Sequence, residues 1–135
     1  MRNLNNSIMK KSILLMALFA ILYTGLSAQN SNVQKKDPVG KWKFEAPTAP
    51  EGYASGTIIF DLVEGKYTAG TVFANFDYKF PGEKVKYAND SISFVFNLEG
   101  QQIDIRLKIE DPQKMSGKAT YSEGTVPIIL TKLPK

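Results

Sequence analysis

Between Ser91 and Ile109 the chain alternates apolar and polar residues twice over, on either side of Glu99 and Gly100. In the first run Ile92, Phe94, Phe96 and Leu98 share one face, with Ser91, Ser93 and Asn97 opposite. In the second, Ile103, Ile105, Leu107 and Ile109 alternate with Gln102, Asp104, Arg106 and Lys108. Successive side chains of a strand point to opposite faces, so this stretch predicts a β-hairpin with one buried and one wet face. Earlier, Lys41, Lys43 and Glu45 alternate with Trp42 and Phe44, which predicts a first strand with its aromatics inward. The segment from Pro47 to Gly52 reads as a loop, because its prolines and glycine cannot continue a paired strand.

From Ser55 to Val63 the inward set is Ile58, Phe60 and Leu62, although Ile59 and Val63 are apolar on the other side. Glu64-Gly65 turns the chain into a strand from Tyr67 to Phe73, where Ala69 and Gly70 imply a tight bend or close packing. The alternation then slips phase, since Phe73 belongs to the odd positions while Phe76, Tyr78 and Phe80 belong to the even ones. A bulge or short turn at Ala74-Asn75 would keep one inner face. After Pro81-Gly82 the next strand holds Val85 and Tyr87, and Asn89-Asp90 supplies a turn. Beyond the central hairpin, closed by Asp111-Pro112, Met115, Gly117, Ala119 and Tyr121 oppose Ser116, Lys118 and Thr120. Glu123-Gly124 makes the last turn, and in the strand from Thr125 to Leu133 Pro127 argues for an edge or a strand end. Turn signals recurring every ~8 to 12 residues, with short connections and no helical period, predict an all-β fold. Its closed form is a small antiparallel up-and-down β-barrel of about eight strands.

The start of the chain is of another kind. Residues 1–28 read as a cleaved signal peptide, with a basic region ending in Lys10-Lys11, an apolar run from Ile13 to Leu26, and small residues at Ser27 and Ala28. Residues 29–38, polar and without period, read as a flexible leader, which makes 39–135 the barrel domain. The expected location is therefore outside the cytoplasm, periplasmic or secreted. Ser-Ala-Gln at 27 to 29 resembles signal-peptide ends in secreted proteins of Bacteroidota. Of the 17 basic residues, Arg2, Lys10 and Lys11 lie in this segment, which leaves 14 against 13 acidic ones. With so even a balance, nucleic-acid binding has no electrostatic argument.

There is no cysteine and no histidine. The core must therefore stand without disulfides, and Cys or His nucleophile, base and zinc chemistry is excluded. Asp61, Asp77, Asp104, Arg106 and Lys108 fall opposite apolar neighbours, on the outer face, and no carboxylate pair is placed for acid and base roles. Ser116 and Lys118 share a face, but on an exposed strand. No catalytic residue, metal ligand or cofactor is assigned, and the protein reads as a non-enzyme. Lys84, Lys86, Arg106 and Lys108 would face lipid in a membrane-spanning barrel at a cost of a few kcal/mol each, so it is not membrane-embedded.

The inward set is strongly aromatic. Trp42, Phe44, Phe60, Phe76, Tyr78, Tyr87, Phe94, Phe96 and Tyr121 are the candidate ligand-binding residues, together with Phe80 in the same phase. They either fill the barrel outright or line a pocket at an open end, where tyrosine hydroxyls would orient an apolar or amphipathic ligand. Buried hydroxyls without a protein partner would favour the pocket.

Gly40-Lys41-Trp42 at the head of a small antiparallel meander resembles the lipocalin-like, or calycin, barrels. The resemblance implies that Gly40 and Trp42 open the first strand and that a basic residue of the last strand, here Lys132, packs across the tryptophan at the closed end. Met115-Ser116-Gly117 and Ile128 to Lys132 fit the outline of small bacterial members, and the likeness covers Val39 to Leu133. With the inward aromatic set beneath that strand, the expected role is to bind a small apolar or amphipathic ligand at one barrel end. The alternative is a protein-protein interaction module, such as a periplasmic inhibitor of a secreted hydrolase, acting through the loop 46–53 with its exposed Pro47, Ala49, Pro50 and Tyr53. The chain is expected to be a monomer, with Ile59, Val63 and Val95 the face a dimer would use.

Overall fold

The computed structural model describes residues 36–135. The signal-peptide reading of residues 1–28, with its cleavage pattern, and residues 29–35 of the leader lie outside them. Nine strands follow one another: β1 (Gly40–Glu45), β2 (Ser55–Val63), β3 (Lys66–Phe73), β4 (Phe80–Pro81), β5 (Glu83–Ala88), β6 (Ser91–Leu98), β7 (Gln101–Asp111), β8 (Lys114–Tyr121) and β9 (Gly124–Lys132). They form one antiparallel sheet in the order β4-β3-β2-β1-β9-β8-β7-β6-β5. The last strand thus returns to the first, with Trp42 opposite Lys132 and Glu45 opposite Ile129.

The two free edges of this sheet are bridged by the chain itself. β4 pairs with β3, β5 pairs with β6, and only Gly82 separates them in sequence. The Gly82 N–H donates to the Ala69 carbonyl at 2.8 Å, and a Cβ here would lie 2.9 Å from Ala69 Cβ and 3.1 Å from a Phe94 ring carbon. The missing side chain lets the connection cross the seam, and the barrel is nearly closed.

The central hairpin pairs as its pattern dictates, from Ser91 opposite Lys108 to Leu98 opposite Gln101. Glu99 and Gly100 both have positive φ, 53° and 79°, the geometry of a two-residue turn whose twist matches that of its strands. Asn89-Asp90 and Glu64-Gly65 do the same at the opposite end. Ile92, Phe94, Phe96, Ile103, Ile105, Leu107 and Ile109 are all buried. In β9 the inward set is Val126, Ile128 and Leu130.

Four expectations need correction. The strand count is nine, with the two-residue β4 included, and the segment from Phe76 to Phe80 is no single inward strand. β3 stops at Phe73, the Phe76 N–H closes a turn onto the Phe73 carbonyl, and Lys79 lays its methylenes across the outer face of Gly70. Only Phe80 and Pro81 rejoin the sheet, and Phe76 and Tyr78 are left outside, 41% and 58% exposed. Leu62, in the inward phase, is 49% exposed because it lies near the tip of the β2-β3 hairpin, two residues before its turn. Pro127 sits within an interior strand, opposite Lys118, yet β1 reaches only as far as Ile129, so its missing N–H faces no partner strand. Finally, Lys36 to Pro38, read as the end of a flexible leader, pack on the barrel. Pro38 is buried and its carbonyl accepts the Trp42 Nε1–H at 2.8 Å, while the Lys36 carbonyl accepts from the Tyr87 hydroxyl at 3.4 Å.

The meander sends alternate connections to opposite ends. One end carries Lys36 to Val39, the turns at 64–65, 89–90 and 112–113, and Leu133. The other carries the loops 46–54 and 74–79 and the turns at 99–100 and 122–123. At the first end Trp42, Phe60, Ile92, Phe94, Ile109, Met115 and Leu130 make a solid floor. Phe60 meets Phe94 edge to face, centroids 5.7 Å apart.

Candidate functional site

Above that floor the inward side chains become smaller. Thr71 on β3, Ala119 on β8 and Val126 on β9 occupy inward positions where the floor has rings and long aliphatics, and they leave a cavity of about 240 Å³ open at the second end. Phe44, Ile58, Phe73, Phe96, Ile103, Ile105 and Ile128 wall it. Ala46, Ala49, Pro50 and Tyr53 of the first long loop, with Leu98, Glu99, Gln101, Tyr121 and Glu123 from the two hairpin turns, form its rim.

The interior is apolar with one exception. Thr71 is 2% exposed, and its Oγ1 has no hydrogen-bond partner among the described residues. A hydroxyl withdrawn from water without a partner costs about 1–3 kcal/mol, so the position is informative. The rim is polar. Tyr53 Oη donates to Glu99 Oε1 at 3.2 Å, and Gln101 Nε2 donates to Ser122 Oγ. Partial burial, then the charge and hydrogen bond of Glu99, push the Tyr53 phenol above its ordinary value, so it holds its proton. Carboxylates of Glu99 and Glu123 line the opening, and among the described residues no lysine or arginine does.

The candidate residues divide by height in the barrel. Phe44, Phe96 and Tyr121 line the cavity. Trp42, Phe60 and Phe94 belong to the floor, packed against other side chains. Phe76 and Tyr78 lie outside the barrel, Phe76 stacking on Tyr53 at 5.8 Å and Tyr78 meeting Phe80 edge-on at 4.8 Å. Tyr87 is at the floor end, its hydroxyl on the Lys36 carbonyl and its ring against Tyr67. Burial and the nearby charge of Asp90 raise its pKa. At the same end Lys132 Nζ lies 5.3 Å from the centre of the Trp42 ring, and Gly40 has φ 138°, where a Cβ would come within 3.1 Å of the Lys132 chain.

Residue-pattern reasoning missed Thr71, Phe73, Ala119 and the inward use of the loop 46–53. Ala46 is buried and Ala49 and Tyr53 are half-buried towards the cavity, so only Pro47 and Pro50 of that loop's apolar group are exposed. Thr71 did leave a signal, as a hydroxyl set between Ala69 and Phe73 in one phase of the strand.

The described residues thus form a small, nearly closed antiparallel barrel with a largely apolar cavity at one end and a single unpartnered buried hydroxyl. Among solved structures it is similar to a mutant of the fluorescent protein UnaG, with a TM-score of 0.47 and 14% identity over 73% of this chain and 97% of that one. No protein-family model matches the chain, and no curated protein matches it.

Proposed function

We propose that the protein is an exported, non-enzymatic carrier that holds one small apolar or amphipathic molecule in the mouth of the barrel. Thr71 Oγ1 carries the reading, because a polar atom on a bound molecule would offset the cost of burying that hydroxyl. The cavity has the volume of about eight waters, which suits a ligand on the order of ten non-hydrogen atoms. Its walls offer aromatic and aliphatic contact to such a molecule. Export rests on the character of residues 1–28.

Native mass spectrometry of the protein taken undenatured from its producing cells tests this. An excess mass on the order of 150 Da, lost on solvent extraction and absent from Ala119→Phe, is the expected result. A bare mass, together with no shift of cavity amides in NMR titrations with small apolar molecules, would refute it.

A second reading has an observation of its own. Phe76 and Tyr78 stand exposed at the end of the barrel that also carries the loop 46–54, with Phe76 stacked on Tyr53 of the rim, and such a set suits a protein partner. Retained capture of that partner by a Phe76→Ser, Tyr78→Ser variant would dismiss it.

A further inference from the structure

The proposed carrier reading leaves the chemistry of the ligand open, and the following inference rests on that reading. We propose that the cavity takes a two-ended molecule, with a hydrogen-bonding atom at its inner end, an apolar body, and a cationic head at the rim, and that it discriminates against carboxylates.

The inner end is set by Thr71. Its hydroxyl is fully buried, can donate or accept, and is the only unpartnered buried side-chain polar atom among the described residues. A neutral hydroxyl or carbonyl satisfies it. An anion brought to the same depth would lose its hydration in return for a single donor, with no positive charge in the wall.

The outer end is set by the rim. Glu99 and Glu123 bring two negative charges to the opening, and no cation among the described residues of the lining balances them. The Tyr53 proton is already directed at Glu99, so this phenol offers lone pairs to a ligand rather than a donor. An ammonium group here meets acceptors and opposite charge, an alcohol meets acceptors alone, and a carboxylate meets like charge. Between the two ends Phe44, Phe73 and Phe96 supply ring faces and edges suited to a flat body.

Tyramine, tyrosol and 4-hydroxyphenylacetate share one phenol body and differ only in a cationic, neutral or anionic head, while phenethylamine keeps the amine and lacks the phenol oxygen. Titrations of the protein with each, followed by NMR shifts of cavity amides, should rank tyramine first and 4-hydroxyphenylacetate last, about tenfold apart at low salt and closer at high salt. In a Glu99→Gln, Glu123→Gln variant tyramine and tyrosol should bind alike. Thr71→Val should weaken tyramine to the level of phenethylamine and leave phenethylamine unchanged. Equal or tighter binding of 4-hydroxyphenylacetate, or a ranking that survives the double substitution, would overturn the charge selectivity while leaving the carrier reading standing. Failure of all four compounds to shift any cavity amide would count against both.

Discussion

Thr71 is where stability and binding pull in opposite directions. A valine has nearly the same shape and no hydroxyl to desolvate, so Thr71→Val should raise thermal stability by about 1 kcal/mol while weakening whatever hydrogen-bonds at that point. A stability loss instead would mean that the hydroxyl already has a partner. On the outer face the contrasting case is Glu110. The Ser116 hydroxyl donates to its carboxylate, which lowers its pKa, partial burial opposes this, and the charge of Lys114, 3.5 Å away, adds to the lowering. A carboxyl depressed in the folded state contributes stability above its unfolded pKa and loses it as pH falls through the folded value. The stability difference between the natural protein and Ser116→Ala should therefore be present at neutral pH and vanish on acidification below about pH 4, in urea titrations across that range.

At the scale of elements, one strand pair depends locally on a residue without a side chain. On β8 Gly117 faces Leu107, and a Cβ there would fall on the Arg106 carbonyl oxygen and lie 2.9 Å from Leu107 Cα. Backbone cannot move aside as a flexible side chain can, so Gly117→Ala should cost about 3 kcal/mol or more, or prevent folding, as judged by chemical denaturation. The central hairpin was legible from alternation alone because every inward position from Ile92 to Ile109 is apolar and every turn carries its own chemistry. The stretch from Ala74 to Phe80 was not. Its even-phase aromatics imitate a strand, but the chain turns at Phe73 to Phe76 and Lys79 comes to lie over Gly70, a contact between residues nine positions apart that no local period reveals. The site was half legible for a related reason. Trp42 and Phe44 are two residues apart on the same inner face, but alternation gives a side and no height. Height comes from pairing: Trp42 lies opposite Lys132 at the end where the chain enters and leaves, and Phe44, two residues nearer the open end, reaches the cavity wall.

For the molecule as a whole, the seam between β3-β4 and β5-β6 is the weak line of an otherwise continuous ladder. β4 contributes two residues, and β5 pairs with β6 through a register shift between Glu83 and Lys86. Amide exchange should accordingly be fastest in β4 and β5 and slowest in β7 and β8, which have a partner on both sides. Uniform protection around the barrel would show that the seam is as tight as the rest. The way the chain enters and leaves has a different consequence. Lys36 to Pro38 and Leu133 both lie against the floor, where the Leu133 N–H is bound to the Lys41 carbonyl at 2.9 Å. Any tether joined to either side of the described domain therefore pulls on the base of a cup whose opening points the other way. Such a cup can be grafted onto a surface, or fused at both ends at once, without a hand over its mouth.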